Sequence, residues 1–151
     1  MSECKSTLPT PQTLADAQRV DKLWGGEIWL TNNDRYCAKV LVLAKGAQGS
    51  LHYHPVKDET MIVIQGIVGM EICDAGACEA TLGYELKPGS YIRLEPGTPH
   101  RFQALSASAV IVEVSTPHSD DDVVRIEDSR VHNYDSNGQY ILDLQLSEDS
   151  N

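Results

Sequence analysis

His52 and His54 stand two residues apart in the stretch 46–66, GAQGSLHYHPVKDETMIVIQG. A strand with period two turns both imidazoles to one face, where they can share one metal ion. Residues 55–58 leave room for a turn. Glu59 then opens the apolar run TMIVIQG and can return to the same ion as a carboxylate ligand. Gly66 closes the run, as a turn needing positive φ requires. His100, in EPGTPHRF, offers a fourth donor after the turn signal Pro88-Gly89 and the short strand YIRL. Three neutral imidazoles and one carboxylate suit a single divalent first-row ion with positions left open for water or substrate.

Other residues bring charge to places where it is costly. Lys39 lies in YCAKVLVLAK and shares parity with Leu41 and Leu43, while Ala38, Val40 and Val42 face the other way. Both faces are apolar, so this lysine either snorkels at the strand end or projects into a cavity. Glu113 sits in AVIVEVS on the parity of Ala109 and Ile111. A carboxylate in so apolar a strand needs a partner or a use. It is either half of a buried ion pair, with Lys39 a candidate partner, or a proton-transfer group. Arg125, in DDVVRIEDSR, can reach a substrate from the cavity side or pair on a surface helix. Lys57, between His54 and Glu59, stands either at a cavity mouth or in a solvated loop. His118 and His132 lie in polar surroundings and read as surface residues.

The elements that must position these residues are short strands. Stretches 36–45, 67–73, 80–86, 91–94, 100–104 and 109–115 are extended in character, with turn signals between them. Stretch 21–31 reads as two extended pieces hinged at Gly25-Gly26, stretch 14–20 as a short helical turn, 121–129 as a short helix, and 140–146 as a last strand for an edge or a partner. Many short strands with frequent turns predict an all-β sandwich or barrel. A chain of 151 residues suits one domain. Its expected division is a mobile N-terminal arm over 1–20, the domain over 21–146 and an acidic tail over 147–151. Net charge of −10 argues against nucleic acid and anionic membrane surfaces as partners. No apolar run approaches a membrane span and the first residues, MSECKSTLPTPQ, lack a secretory core, so the expected location is cytoplasmic. Four cysteines are then expected as thiols, although Cys73 and Cys78 could face each other across a hairpin.

The pattern Gly-x5-His-x-His-x4-Glu-x6-Gly over 46–66, with the later Gly97-x2-His100, resembles the two motifs of the cupin family. The second motif departs at two positions, Glu95 where the family usually has proline and Ala104 where it often has asparagine. Neither is a ligand position. The resemblance implies a single-domain cupin, a small jelly-roll β-barrel. Within the cupins, Trp24-Gly25-Gly26-Glu27, Tyr36-Cys37-Ala38-Lys39, the segment 111–116 and the run from Asp122 to Arg125 resemble the branch of D-lyxose isomerases and cupin-type mannose-6-phosphate isomerases. His52 stands where the mannose-6-phosphate enzymes usually carry glutamine, which brings the ligand set nearer the lyxose type.

That resemblance implies a metal-dependent aldose–ketose isomerase acting on a lyxose- or mannose-like sugar, or its phosphate, through an enediolate. His52, His54, Glu59 and His100 would hold one divalent ion per chain, manganese in the first place, with zinc, iron, cobalt or nickel also suited to the donors. Glu113 and Lys39 would be catalytic, and Arg125, Lys57 and Asp122 would bind substrate. A homodimer is expected from edge pairing of strands. The alternatives are an Fe(II) cupin dioxygenase, which would need an oxidisable substrate, and a non-catalytic metal- or sugar-binding cupin.

Overall fold

The computed structural model describes residues 9–74, 77–129, 132–134 and 140–142, with side chains for 9–74 and 82–129. After a 3-10 turn at Leu14–Asp16 the described residues form thirteen strands. They are β1 (Gln18–Lys22), β2 (Gly25–Asn32), β3 (Cys37–Ala44), β4 (Leu51–Tyr53), β5 (Glu59–Gln65), β6 (Val68–Asp74) and β7 (Ala77–Leu86). There follow β8 (Tyr91–Leu94), β9 (His100–Ala104), β10 (Ser108–Ser115), β11 (Val124–Glu127), β12 (His132–Tyr134) and β13 (Tyr140–Leu142). A six-stranded sheet has the order β1-β2-β3-β10-β5-β8 and a five-stranded sheet the order β11-β4-β9-β6-β7. Pairing within both is antiparallel. No helix among the described residues is long and apolar enough to cross a membrane.

The two sheets close on each other as a small jelly-roll barrel because each strand turns alternate residues inward. Leu41, Leu43, Met61, Val63 and Ile111 of the large sheet meet Val68, Met70, Phe102 and Ala104 of the smaller one in a single buried cluster. Trp24 stands edge-on to Phe102, ring centroids 5.0 Å apart, and fills one end of that cluster. Gly66, at φ 76°, turns the chain from β5 toward β6. A Cβ there would lie 2.2 Å from the carbonyl oxygen of Ser108, so both the turn and the close approach require glycine.

Several expected boundaries move. The hinge in 21–31 falls at Leu23-Trp24, and β1 begins at Gln18, inside the segment read as an arm, where it pairs with β2. The short helix expected over 121–129 is instead the strand β11, whose Val124 and Arg125 pair with Tyr53 and His52 of β4. Its residues are largely exposed, so backbone pairing to an open edge, and not burial of an amphipathic face, decides its conformation. Arg101 of β9 ties it in by pairing with both Glu71 and Glu127. The last strand, β13, pairs with β12 in a separate hairpin. Residues 143–146 of the expected strand and the Cys78 side chain lie outside the described set.

Candidate metal centre and cavity

His52 lies on β4 opposite His100 of β9, the two being register partners. His54 follows β4, and Glu59 is the first residue of β5. The imidazole centroids are 4.8 Å apart for His52 and His100, 5.0 Å for His52 and His54, and 6.2 Å for His54 and His100. Each ring is fixed from behind. His52 Nδ1 donates to the Ser50 carbonyl at 2.9 Å, His100 Nδ1 to the Thr98 carbonyl at 2.8 Å, and His54 Nδ1 to the Asp122 carbonyl. With the proton held on Nδ1, all three rings present a bare Nε2, the form that ligates a metal. Burial, reinforced by the neighbouring His100, pushes His52 down to about 3, and burial also lowers His54, so both are neutral at ordinary pH.

Glu59 Oε1 lies 3.0 Å from His100 Nε2 and 3.9 Å from His54 Nε2. The approach to His100 is close in distance but poorly aligned, and Glu59 Oε1 and His100 Nε2 are both buried without a hydrogen-bond partner. Two orphaned buried acceptors facing each other are costly unless a cation joins them. Among the described residues the donors are gathered but do not close into a finished coordination shell. Their chemistry, three bare imidazole nitrogens and one carboxylate oxygen, fits a divalent ion. Burial would raise the Glu59 carboxyl, but the Lys57 ammonium beside it acts the other way, and the group is held below the usual range.

Lys57 is not in a solvated loop. It is 4% exposed, and its ammonium bridges Glu59 Oε2 at 3.0 Å and Glu113 Oε1. Burial alone would lower its pKa. Glu113 first, then Glu59, reverse this and raise it. Asp122 fixes the loop: its carboxylate accepts from the backbone N–H of Val56 at 2.9 Å and of Lys57 at 2.8 Å, while its carbonyl holds His54. Asp122, expected at the substrate, is thus occupied with the chain that carries the ligands. Glu113 Oε1 also accepts from Ser115 Oγ at 3.4 Å.

The ion pair weighed as one alternative for Lys39 and Glu113 does not form, although the two are register partners across β3 and β10. Lys39, 1% exposed, reaches toward β2 instead, with its ammonium 3.2 Å from Glu27 Oε2, 3.3 Å from His118 Nδ1 and 4.1 Å from the centre of the Trp29 ring. Trp29 Nε1 donates to the same Glu27 oxygen at 2.7 Å. His118, read from sequence as a surface residue, therefore faces the cavity. Glu27 and Trp29 had a legible signal, since both share the inward parity of Gly25 on β2 and lie opposite Leu41 and Lys39. His118 had none, because it follows β10 in an irregular segment. Arg125 is exposed on β11 beside His52 and lines the mouth of the same cavity. The cavity has a volume of about 1190 Å³ and has the candidate ligands His52, His54 and Glu59 together with Glu113, Lys39 and Lys57 on its wall.

Residues 39–115 match the Cupin domain family. The chain is 35% identical to a D-lyxose/D-mannose isomerase of Thermosediminibacter oceani, over 66% of this chain and 66% of that protein's length. The fold is shared with CapF, a capsular polysaccharide assembling protein of Staphylococcus aureus (TM-score 0.67, 16% identity, 74% of this chain and 32% of that one). It is shared equally with the oxalate decarboxylase of Lactobacillus farciminis (TM-score 0.67, 21% identity, 81% and 38%). This chain thus spans well under half of either solved chain, and at such identities the likeness concerns the fold alone. The family match covers half of the chain and contains every donor described above, and the chain belongs to the cupin family.

Proposed function

We propose that the protein is a metal-dependent aldose–ketose isomerase for a lyxose- or mannose-like sugar, working through an enediolate. The observation that carries this reading is the Lys57 bridge. It locks Glu59, which faces the histidines, to Glu113 on the wall of the same cavity. A carboxylate held beside a metal-donor set in a polar cavity is the group needed to move a proton between adjacent carbons. The name of the Thermosediminibacter relative supports the same substrate class.

His52, His54, Glu59 and His100 would hold one divalent ion, manganese in the first place. When bound, such an ion supplies positive charge to two neighbouring sugar oxygens. Glu113 takes the proton from C2 of the aldose and returns it to C1, while a second proton passes from O2 to O1. Lys39, fixed by Glu27 and backed by Trp29, donates to a sugar hydroxyl, and Arg125 closes on the sugar from the mouth. Lys57 and Asp122 act through Glu113, Glu59 and His54, as positioning residues.

A homodimer also belongs to this reading, through a face of the barrel more than through its edges. The outward side of the large sheet carries Val42, Ile62, Ile64, Val110, Val112 and Val114, several of them exposed, with charged side chains only toward its outer strands β1 and β8. Strand spacing of ~4.8 Å and a rise of ~3.4 Å per residue give six strands a face of roughly 700 Å², close to one side of a standard protein interface.

Purified protein stripped of metal and reloaded with Mn(II) is incubated with D-lyxose, D-mannose and their phosphates, and ketose formation is measured. Turnover of one pair, with solvent hydrogen entering the product, is the expected result. No ketose from any of them, with metal bound, would reject the isomerase reading.

A further inference from the structure

We propose that His118 is a positioning residue for Lys39: while neutral it holds the Lys39 ammonium in the cavity through Nδ1, and protonation of His118 releases that ammonium. An ammonium has only donors, so at 3.3 Å from Lys39 the His118 Nδ1 must be the acceptor. The ring proton then lies on Nε2, which donates to Asp120 Oδ1 at 3.1 Å. This is the opposite tautomer from that of the three ligand histidines, whose Nδ1 carries the proton.

The ring is held in place from several sides. Asn32 Oδ1 accepts from the His118 N–H at 2.9 Å and Asn32 Nδ2 donates to the His118 carbonyl at 3.2 Å, tying this segment to the end of β2. Trp29 meets the imidazole edge-on, ring centroids 4.9 Å apart. The charged groups around the ring are Lys39, Asp120 and, farther off, Lys57 and Glu27. Burial and then Lys39 lower its pKa, and Asp120 opposes them. A second proton on the ring removes the acceptor and sets a cation against a cation. Lys39 has Glu27 as its remaining partner and withdraws toward it, away from the hydroxyl it would serve. Asp120, 98% exposed on its side chain, puts the controlling end of this chain in solvent.

The inference about the lysine's role rests on the isomerase reading, but the geometry can be tested without it. In zinc-loaded protein, nitrogen NMR of the imidazoles, with His118 identified by the signal lost in His118→Asn, should show the Nε2-protonated tautomer at neutral pH. An Nδ1-protonated His118 overturns the proposal. The chain has two tryptophans, so Trp24→Phe isolates Trp29. Its emission should fall about twofold as pH drops through a midpoint below ~6.5, because an imidazolium quenches the indole it touches. Lys39→Met should raise that midpoint and His118→Asn should abolish the change. A transition that survives His118→Asn, or ignores Lys39→Met, rejects the coupling.

For activity, the amide oxygen introduced by His118→Asn can accept from Lys39 as Nδ1 does, whereas a leucine side chain cannot. His118→Asn should therefore keep kcat/KM within several-fold and shift or flatten its acid limb, and His118→Leu should lose as much kcat/KM as Lys39→Met. An unchanged acid limb in His118→Asn counts against the proposal. Should the unaltered protein turn over no sugar, the isomerase reading fails, while the NMR and emission results still decide the role of His118.

Discussion

The two ends of the barrel are built from the same strands and differ by one step of period two. On β10 the inward residues are Ala109, Ile111 and then Glu113. On β3 their partners are Leu43, Leu41 and then Lys39, while on β5 Val63 stands opposite Ile111 and Met61 opposite Glu113, with Glu59 one step further on, opposite Ser115. The first two layers are apolar and packed. The end beyond them is ionic, yet nearly as dry: Lys39, Glu59 and Glu113 are 1%, 2% and 4% exposed. Burial alone therefore does not separate core from site in this molecule. What separates them is whether each inward group is satisfied by contact or needs a charged partner. The apolar layers stabilise the fold without choosing a partner, whereas the ionic layer costs stability unless every charge is matched.

The sharpest way to break this comparison is Glu113→Gln. The metal-donor set is untouched, and Lys57 keeps Glu59 as its partner. Turnover should fall roughly 10²–10⁴-fold with the melting temperature little changed. Full activity with a large drop in melting temperature would make Glu113 a structural residue of the ionic layer. Lys57→Met comes next. It leaves two buried carboxylates facing each other without a cation, a loss of about 3–5 kcal/mol by urea denaturation of the metal-free protein. If zinc or manganese restores much of that stability, the metal and the lysine neutralise the same charge.

Acid should act on the ionic layer and spare the apolar one. His52 titrates at about 3 in the fold against 6.5 for the free group. Between these values the unfolded chain takes up a proton that the folded one refuses, so stability is complete above ~6.5 and falls with acidification, by about 1.4 kcal/mol per pH unit for each such proton. His54 adds in the same sense, as does Glu59 at lower pH, where its depressed pKa makes protonation favour unfolding. A urea midpoint of the metal-free protein that stayed flat from pH 7 to pH 5 would contradict neutral buried histidines. Ile111→Val is the smallest change, one methylene in the apolar layer next to Glu113. It should cost about 0.5–1.5 kcal/mol and leave kcat unchanged. A tenfold loss of kcat would mean that the two layers are mechanically coupled.

Much of this layering is legible in the sequence because it is local. The His52-His54 spacing is one strand period, and Glu113 announces itself as a carboxylate among valines. His52 on β4, His54 just after it, Glu59 at the start of β5 and His100 on β9 lie near one another. Partner choice was not legible. Lys39 and Glu113 are register neighbours, yet a four-carbon stem lets the ammonium turn to Glu27, while Lys57, remote in register, comes in over the loop. Strand β11 was hidden for a different reason. DDVVRIED has no clean period, and its pairing depends on an edge formed by residues some seventy positions earlier. His118 combined both difficulties, being long-range and without periodicity.

Each of the three candidate ligand histidines is anchored by a main-chain carbonyl, those of Ser50, Thr98 and Asp122, and His52 has the Ser50 hydroxyl at 3.1 Å in addition. A carbonyl is offered equally by nearly any amino acid. Position 98 can therefore change identity while still orienting its ring, and a substitution scan would score it as more tolerant than position 50, whose hydroxyl also touches His52. The same contacts are vulnerable to alterations that leave side chains intact, such as a one-residue deletion before β9 or a proline that redirects the loop before β11. The centre is thus robust to changes of residue and fragile to changes of length.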